Sequence, residues 1–214
     1  MDEETSPAKT ILSDLKLAVK RKGLGGFLRD ILLHAGNQAI AFYRIYHWLY
    51  KRGHVLLAFI CFRLNYFLCG VEIHPAAEIG PDFHLDHPIG VIIGRRTVIG
   101  KGVRLYAHAG VGGVGLAEEK PLLVIKDNAQ VYHGAVVAGS CTIGEYAQIG
   151  INSVVLDQDI PPYAVVVGNP GRVVKIGDKR VNPDDYKNYK YNPDDYHGPI
   201  EEERPTESGE WMEP

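Results

Sequence analysis

From residue 73 onward, aliphatic side chains recur at every sixth position. Ile73, Ile79 and Leu85 open the series, and Ile93, Ile99, Leu105 and Val111 continue it. Ile125, Val131, Val137, Ile143, Ile149 and Val155 complete it. A helix repeats at about 3.6 residues and a strand at about 2, so neither gives this spacing. A three-sided coil does: three short strands make one turn, and each aliphatic points inward and stacks on its equivalent in the next turn. At about 18 residues per turn, the series predicts roughly five turns of a parallel β-helix, in which no repeat buries its apolar face alone. Glycine follows the aliphatic at positions 80, 94, 100, 112, 144 and 150. These glycines are expected to supply the left-handed backbone of tight corners.

Ahead of the repeat the period is helical. Phe27 to His34 has apolar positions three and four apart, Gly36 is expected to interrupt, and a second helix runs from Ala39 through Tyr50. Lys51, Arg52 and Gly53 form its C-terminal signal. A third helix spans His54 to Cys69. It is strongly apolar, but Arg63 and Asn65 interrupt a run of about 15 residues, short of the roughly 20 a membrane span needs. It reads as a helix buried at a subunit interface rather than one lying on a membrane surface.

Behind the repeat, residues 177–214 carry five Lys or Arg against eleven Asp or Glu. Asn182-Pro183-Asp184-Asp185-Tyr186 recurs as Asn192-Pro193-Asp194-Asp195-Tyr196. Such a segment reads as a solvated, loosely attached tail, the alternative being a strap whose tyrosines dock on a neighbouring subunit. The chain therefore divides into a helical segment 1–70, a repeat domain 71–176 and an acidic tail 177–214.

The charge is −3, from 23 Lys and Arg against 26 Asp and Glu. That lacks the basic excess of a nucleic-acid binder. The three cysteines show no C-x-x-C spacing, which argues against a disulfide framework or a cysteine zinc site and for a reducing compartment. The acidic start, Met1-Asp2-Glu3-Glu4, has the wrong character for a secretory signal, so a cytoplasmic location is expected.

The period breaks twice. Leu85 and Ile93 stand two residues too far apart, around Asp86-His87-Pro88-Ile89-Gly90. Val111 and Ile125 stand eight too far apart, around a loop from Gly112 to Val124. Extra residues must leave the stack as loops, and loops on a rigid scaffold carry function. His87 beside Asp86 is the chemical candidate, since a neutral imidazole takes a hydroxyl proton near pH 7 when a carboxylate fixes its tautomer. Glu72 is placed to supply that carboxylate. The bland alternative is a solvent-facing histidine on a turn.

Several motifs resemble the serine O-acetyltransferase family of left-handed β-helix acyltransferases. They are Glu72-Ile73-His74-Pro75-Ala76-Ala77-Glu78-Ile79-Gly80, Leu85-Asp86-His87 with Gly90, Gly112-Gly113-x-Gly115, Pro161-Pro162-Tyr163 and Gly168-Asn169-Pro170-x-Arg172. Tyr43-Arg44-Ile45-Tyr46-His47-Trp48-Leu49 is similar to the family's N-terminal domain. The resemblance implies a left-handed parallel β-helix behind a small helical domain, and acetyl-CoA as acyl donor without a metal. It implies a homotrimer or a dimer of trimers, with each site between adjacent prisms. His87 becomes the general base and Glu72 the acid that orients it, where the family usually has Asp. Asp86 matches the residue that binds the acceptor's amine. Gly113, His133, Gly134, Ile151 and Arg172 fall along the implied CoA channel.

The departures are specific. Where the family follows its glycine loop with Arg-His-Pro to grip the acceptor carboxylate, this chain has Glu119-Lys120-Pro121. Lys120 is able to pair with a carboxylate or to remain a solvated loop lysine, and His108 is a second candidate for the acceptor. No Asp-Pro precedes residue 70, and the sequence ends in Trp211-Met212-Glu213-Pro214 where the family's partner-docking tail ends in Ile. The resemblance implies L-serine or a close analogue as acceptor, with a sugar or specialised metabolite as the alternative these departures leave open. An inactive β-helix scaffold is a further class, disfavoured by Asp86, His87 and Glu72 together. A metal site built from His84, His108 and His133 is disfavoured by their spacing.

Overall fold

The computed structural model describes residues 33–113 and 123–198, together with individual positions between 10 and 29. Lys120 and residues 199–214 lie outside the described residues.

Three sheets form the sides of a prism. The first holds β1 (Glu72–Ile73), β4 (Ile92–Ile93), β7 (Gly110–Gly112), β10 (Val136–Ala138) and β13 (Val154–Leu156). The second holds β2 (Glu78–Ile79), β5 (Thr97–Ile99), β8 (Leu123–Ile125) and β11 (Cys141–Ile143). The third holds β3 (His84–Asp86), β6 (Arg104–Tyr106), β9 (Gln130–Val131), β12 (Gln148–Ile149) and β14 (Ala164–Val167). Antiparallel β15 (Arg172–Ile176) and β16 (Lys179–Arg180) close that sheet, whereas the pairings between coils are parallel.

The period of six becomes three internal columns. Ile73, Ile93, Val111, Val137 and Val155 stack in register along the first sheet. Ile79, Ile99, Ile125 and Ile143 do so along the second, and Leu85, Leu105, Val131 and Ile149 along the third. No periodic aliphatic is more than 7% exposed.

The periodic glycines have a different role from the one expected. None of the six lies in the left-handed region. They sit where successive coils touch: a Cβ on Gly80 would stand 2.8 Å from the Gly100 carbonyl carbon, and one on Gly94 3.1 Å from the Gly112 Cα. The left-handed corners are held by other residues. One corner column is Asp82, Gly102, Asn128, Tyr146 and Tyr163, and another is Gly90, His108, Gly134 and Asn152.

The first coil presents an unpaired edge. Its N–H groups at Glu72, His74 and Gly80 donate to carbonyls of the next coil, which leaves its own carbonyls facing outward. Helix α1 (Ala35–Lys51) covers them. The Tyr46 hydroxyl donates to Ile73 O, His47 Nδ1 to Pro75 O and the Tyr43 hydroxyl to Ala77 O, each at 2.8 Å. Arg44 donates to the Ile79 and Gly80 carbonyls at 2.5 Å each, and its Nε to Asp14 at 2.8 Å. Four residues within five positions share one helix face, so a single turn satisfies a sheet edge that would otherwise stay open.

Gly36 does not interrupt this helix but lies buried inside it. A Cβ there would collide with the Leu85 carbonyl, so the glycine serves close approach of α1 to β3. The chain breaks earlier, at extended His34.

Helix α2 (Val55–Cys69) ends on left-handed Gly70. It packs on α1 through Ala58, Phe62, Asn65 and Cys69, while Leu56, Leu64, Phe67 and Leu68 are exposed in the single chain. Among the described residues, no helix is long and apolar enough to cross a membrane.

The start of the acidic tail is not loose. Asn182 and Asn192 cap short 3-10 turns by accepting from Asp184 N and Asp194 N. Tyr191 donates to the Glu145 carboxylate at 2.9 Å, and Tyr196 stacks with Tyr146 and Tyr163. The tail tyrosines thus pack on their own coil, whose corner tyrosines offer rings to stack on.

Candidate active site

The first period break carries His87, the expected base, and Asp86. Cross-coil hydrogen bonds run from His108 N to Ile89 O, from Gly134 N to Ala107 O and from Asn152 N to His133 O. Ile89, Ala107, His133 and Ile151 therefore share a column, and His87 with Pro88 is the pair the coil cannot hold. His87 takes a left-handed backbone (φ 59°) and is exposed, while Pro88 is buried and pins the loop. Gly90 N donates to Gly70 O at 2.8 Å, tying the other end of the loop to the close of α2.

Glu72 lies on β1 opposite Ile92. It shares a cleft of about 460 Å³ with Tyr66, Phe67, Gly70, Gly90, Val91 and Ile92. The loop and its expected acid thus border one recess through Gly90 and Glu72. Among the described residues, no hydrogen bond joins the His87 and Glu72 side chains.

Asp86 ends β3 and projects from the outer face of the third sheet. Its carboxylate accepts from Arg104 Nη1 at 2.6 Å, a residue that was not singled out from sequence. The signal was available only by reading across coils, since β3 pairs with β6 at a spacing of twenty. Beside the pair, Tyr106 and Tyr132 stack with ring centroids 4.9 Å apart. Burial pushes both phenols above the ordinary tyrosine value, and the Arg104 charge pulls them back.

His108 occupies a left-handed corner (φ 59°), and its ring lies where a Cβ on Gly90 would be. It meets His133 edge-to-face with centroids 5.3 Å apart. These two histidines therefore line the corner just beyond the loop. Gly134 is left-handed beneath Asn152, Ile151 is exposed, and Gly113 follows β7 where the second break begins. Arg172, on β15, stands 3.8 Å from Asp184 of the tail. His84 stands 3.3 Å from Asp82. Among the described residues, no group of three or more His, Cys, Asp or Glu could hold a metal ion.

An exposed imidazole on a loop thrown out from a parallel β-helix, next to a paired carboxylate, is the arrangement that the resemblance to β-helix acyltransferases implies. No family model matches the chain. It is 43% identical over 158 residues to the serine acetyltransferase of Bacillus subtilis (strain 168), covering 74% of this chain and 72% of that one. It superposes on the Neisseria gonorrhoeae serine acetyltransferase in complex with serine with a TM-score of 0.69 and 31% identity, over 79% of this chain and 69% of that one. A serine acetyltransferase complex with CoA matches with a TM-score of 0.67 and 31% identity, over 79% and 70% of the two chains. The chain belongs to the serine acetyltransferase family.

Proposed function

We propose that the protein transfers the acetyl group of acetyl-CoA to the hydroxyl of L-serine. The observation that carries this reading is the exposed His87 on the period-breaking loop, adjacent to Asp86, in a chain whose relatives include serine-bound and CoA-bound serine acetyltransferases. His87 takes the serine hydroxyl proton as the oxygen attacks the thioester carbonyl. The tetrahedral adduct collapses with loss of CoA thiolate, and the protonated imidazole returns its proton to that sulfur. Atoms balance without a covalent enzyme intermediate. Glu72, on the shared cleft, acts as a positioning residue that stabilises the imidazolium. Gly113, His133, Gly134, Ile151 and Arg172 border the route of the pantetheine arm.

The assembly that suits this site is a homotrimer. Beyond Glu72, the outer face of the first sheet offers Ile92, Gly110, Gly112, Val136, Ala138, Val154 and Leu156, all uncharged. Ile92 and Leu156 are more than half exposed in the single chain. A flat, uncharged side of this kind packs against a second prism and brings that copy to the edge bearing Glu72. The free cysteines suit a reducing compartment such as the cytoplasm.

The test is thiol release from acetyl-CoA with purified protein against L-serine, other hydroxy amino acids and sugars. Serine-dependent release with O-acetylserine as product supports the reading. Release with a sugar alone, or with no acceptor tried, overturns it.

A further inference from the structure

We propose that Arg104 receives the acceptor's carboxylate, working from its pair with Asp86. The inference rests on the serine reading and names the residue that makes the pocket selective for an amino acid. An α-amino acid carries an ammonium and a carboxylate on one carbon, so its site needs an anion and a cation side by side. Asp86 and Arg104 supply that arrangement with 2.6 Å between carboxylate and guanidinium, immediately before His87. Alternation along β3 and β6 turns Leu85 and Leu105 inward, so Asp86 and Arg104 both face out.

The setting suits recognition. The Asp86 side chain is 36% exposed and that of Arg104 24%, so the pair is partly desolvated yet reachable. A guanidinium presents five N–H donors in a planar fork, a geometry that takes a carboxylate alongside Asp86. The Arg104 charge also acts on the Tyr106 phenol, whose ring is stacked on Tyr132. Asp86 therefore holds the guanidinium before any acceptor arrives, which reduces the ordering cost of binding. The glycine-rich loop is a poorer source of the cation, because Glu118 and Glu119 immediately precede Lys120 there.

The experiment compares wild type, Arg104→Gln, Arg104→Lys and Lys120→Ala with L-serine and with L-serinamide, which keeps the ammonium and replaces the carboxylate by a neutral amide. Arg104→Gln is expected to raise the serine KM by roughly 10–150-fold, the range for losing a charge-assisted hydrogen bond. The serinamide and acetyl-CoA KM values should move by less than about threefold, so selectivity for the carboxylate collapses. Arg104→Lys should restore part of it, and Lys120→Ala should retain it. Using two acceptors on one variant separates contact from misfolding, since a folding defect lowers both alike. A serine KM that is unchanged or lowered in Arg104→Gln overturns the inference, the lowered value meaning that Arg104 masks Asp86 from the ammonium. Wild type that turns over serine beside such a variant leaves the serine reading intact. Wild type inert toward both acceptors overturns the reading and the inference together.

Discussion

Removing one hydroxyl from α1 should measurably loosen the coil that carries the site. Tyr43 and Tyr46 are fully buried, and each spends its phenol on one outward-facing carbonyl of the first coil, at Ala77 and Ile73. Both carbonyl-bearing residues are also 0% exposed, so water does not replace the lost donor. Phenylalanine keeps the ring, including the edge-to-face contact between the two at 5.6 Å, and removes the bond to the carbonyl, at Tyr46 together with the one its hydroxyl accepts from Asn65 Nδ2 at 3.4 Å. An orphaned buried acceptor costs about 1–3 kcal/mol, so each Tyr→Phe change should destabilise by that amount. The carbonyls are different, and the double variant should lose about 2–6 kcal/mol, a large share of the roughly 5–15 kcal/mol that holds a typical domain. Tyr66→Phe, at a position 43% exposed, is the control and should stay within about 0.5 kcal/mol. Equilibrium unfolding in guanidinium at fixed protein concentration measures the shifts. Losses below about 0.5 kcal/mol in both single variants would refute the idea that α1 stabilises the coil by satisfying its edge.

Three further outcomes follow from the geometry. Gly36→Ala forces α1 away from the Leu85 carbonyl, next to Asp86 and His87. It should lower kcat by at least about tenfold through misplacement of the loop, and wild-type kinetics would contradict the packing argument. Burial holds His47 below the ordinary histidine value, and burial followed by the Arg95 charge does the same for His74. The folded state then binds fewer protons than the unfolded chain just below pH about 6.5, so stability is full above that value and falls on acidification. An unfolding midpoint that holds or rises between about pH 7.5 and 5.5 would contradict this assignment. Light scattering should show a species of three chains, and an active monomer of 23.7 kDa would exclude a site shared between prisms.

The coil was legible in the sequence because stacking imposes a period that no other element shares. The loop with His87 was legible for the same reason, as an excess of two residues. What a glycine does was not legible: Gly36 and Gly80 permit close approach, while Gly90 permits a left-handed corner, and the residue type is identical in each case. Corners at Asp82, His108, Asn128 and Tyr146 carried no glycine to mark them. Arg104 escaped notice because its partner lies one coil away, and a contact across coils follows from register rather than from neighbouring letters. The acidic composition of residues 177–198 likewise hid a packing made by tyrosine rings, of which Tyr196 on Tyr146 and Tyr163 is the clearest instance.

The central claim is that His87 removes the acceptor proton, and replacing it while measuring chemistry and binding separately tests that most directly. His87→Ala should lower kcat for serine acetylation by about 10²–10⁴-fold, with CoA affinity by calorimetry unchanged, because the loop supplies a base and not the pantetheine route. Glu72→Gln should fall between wild type and His87→Ala, since an amide orients an imidazole without balancing its charge. A His87→Ala enzyme within about threefold of wild-type kcat would contradict the account.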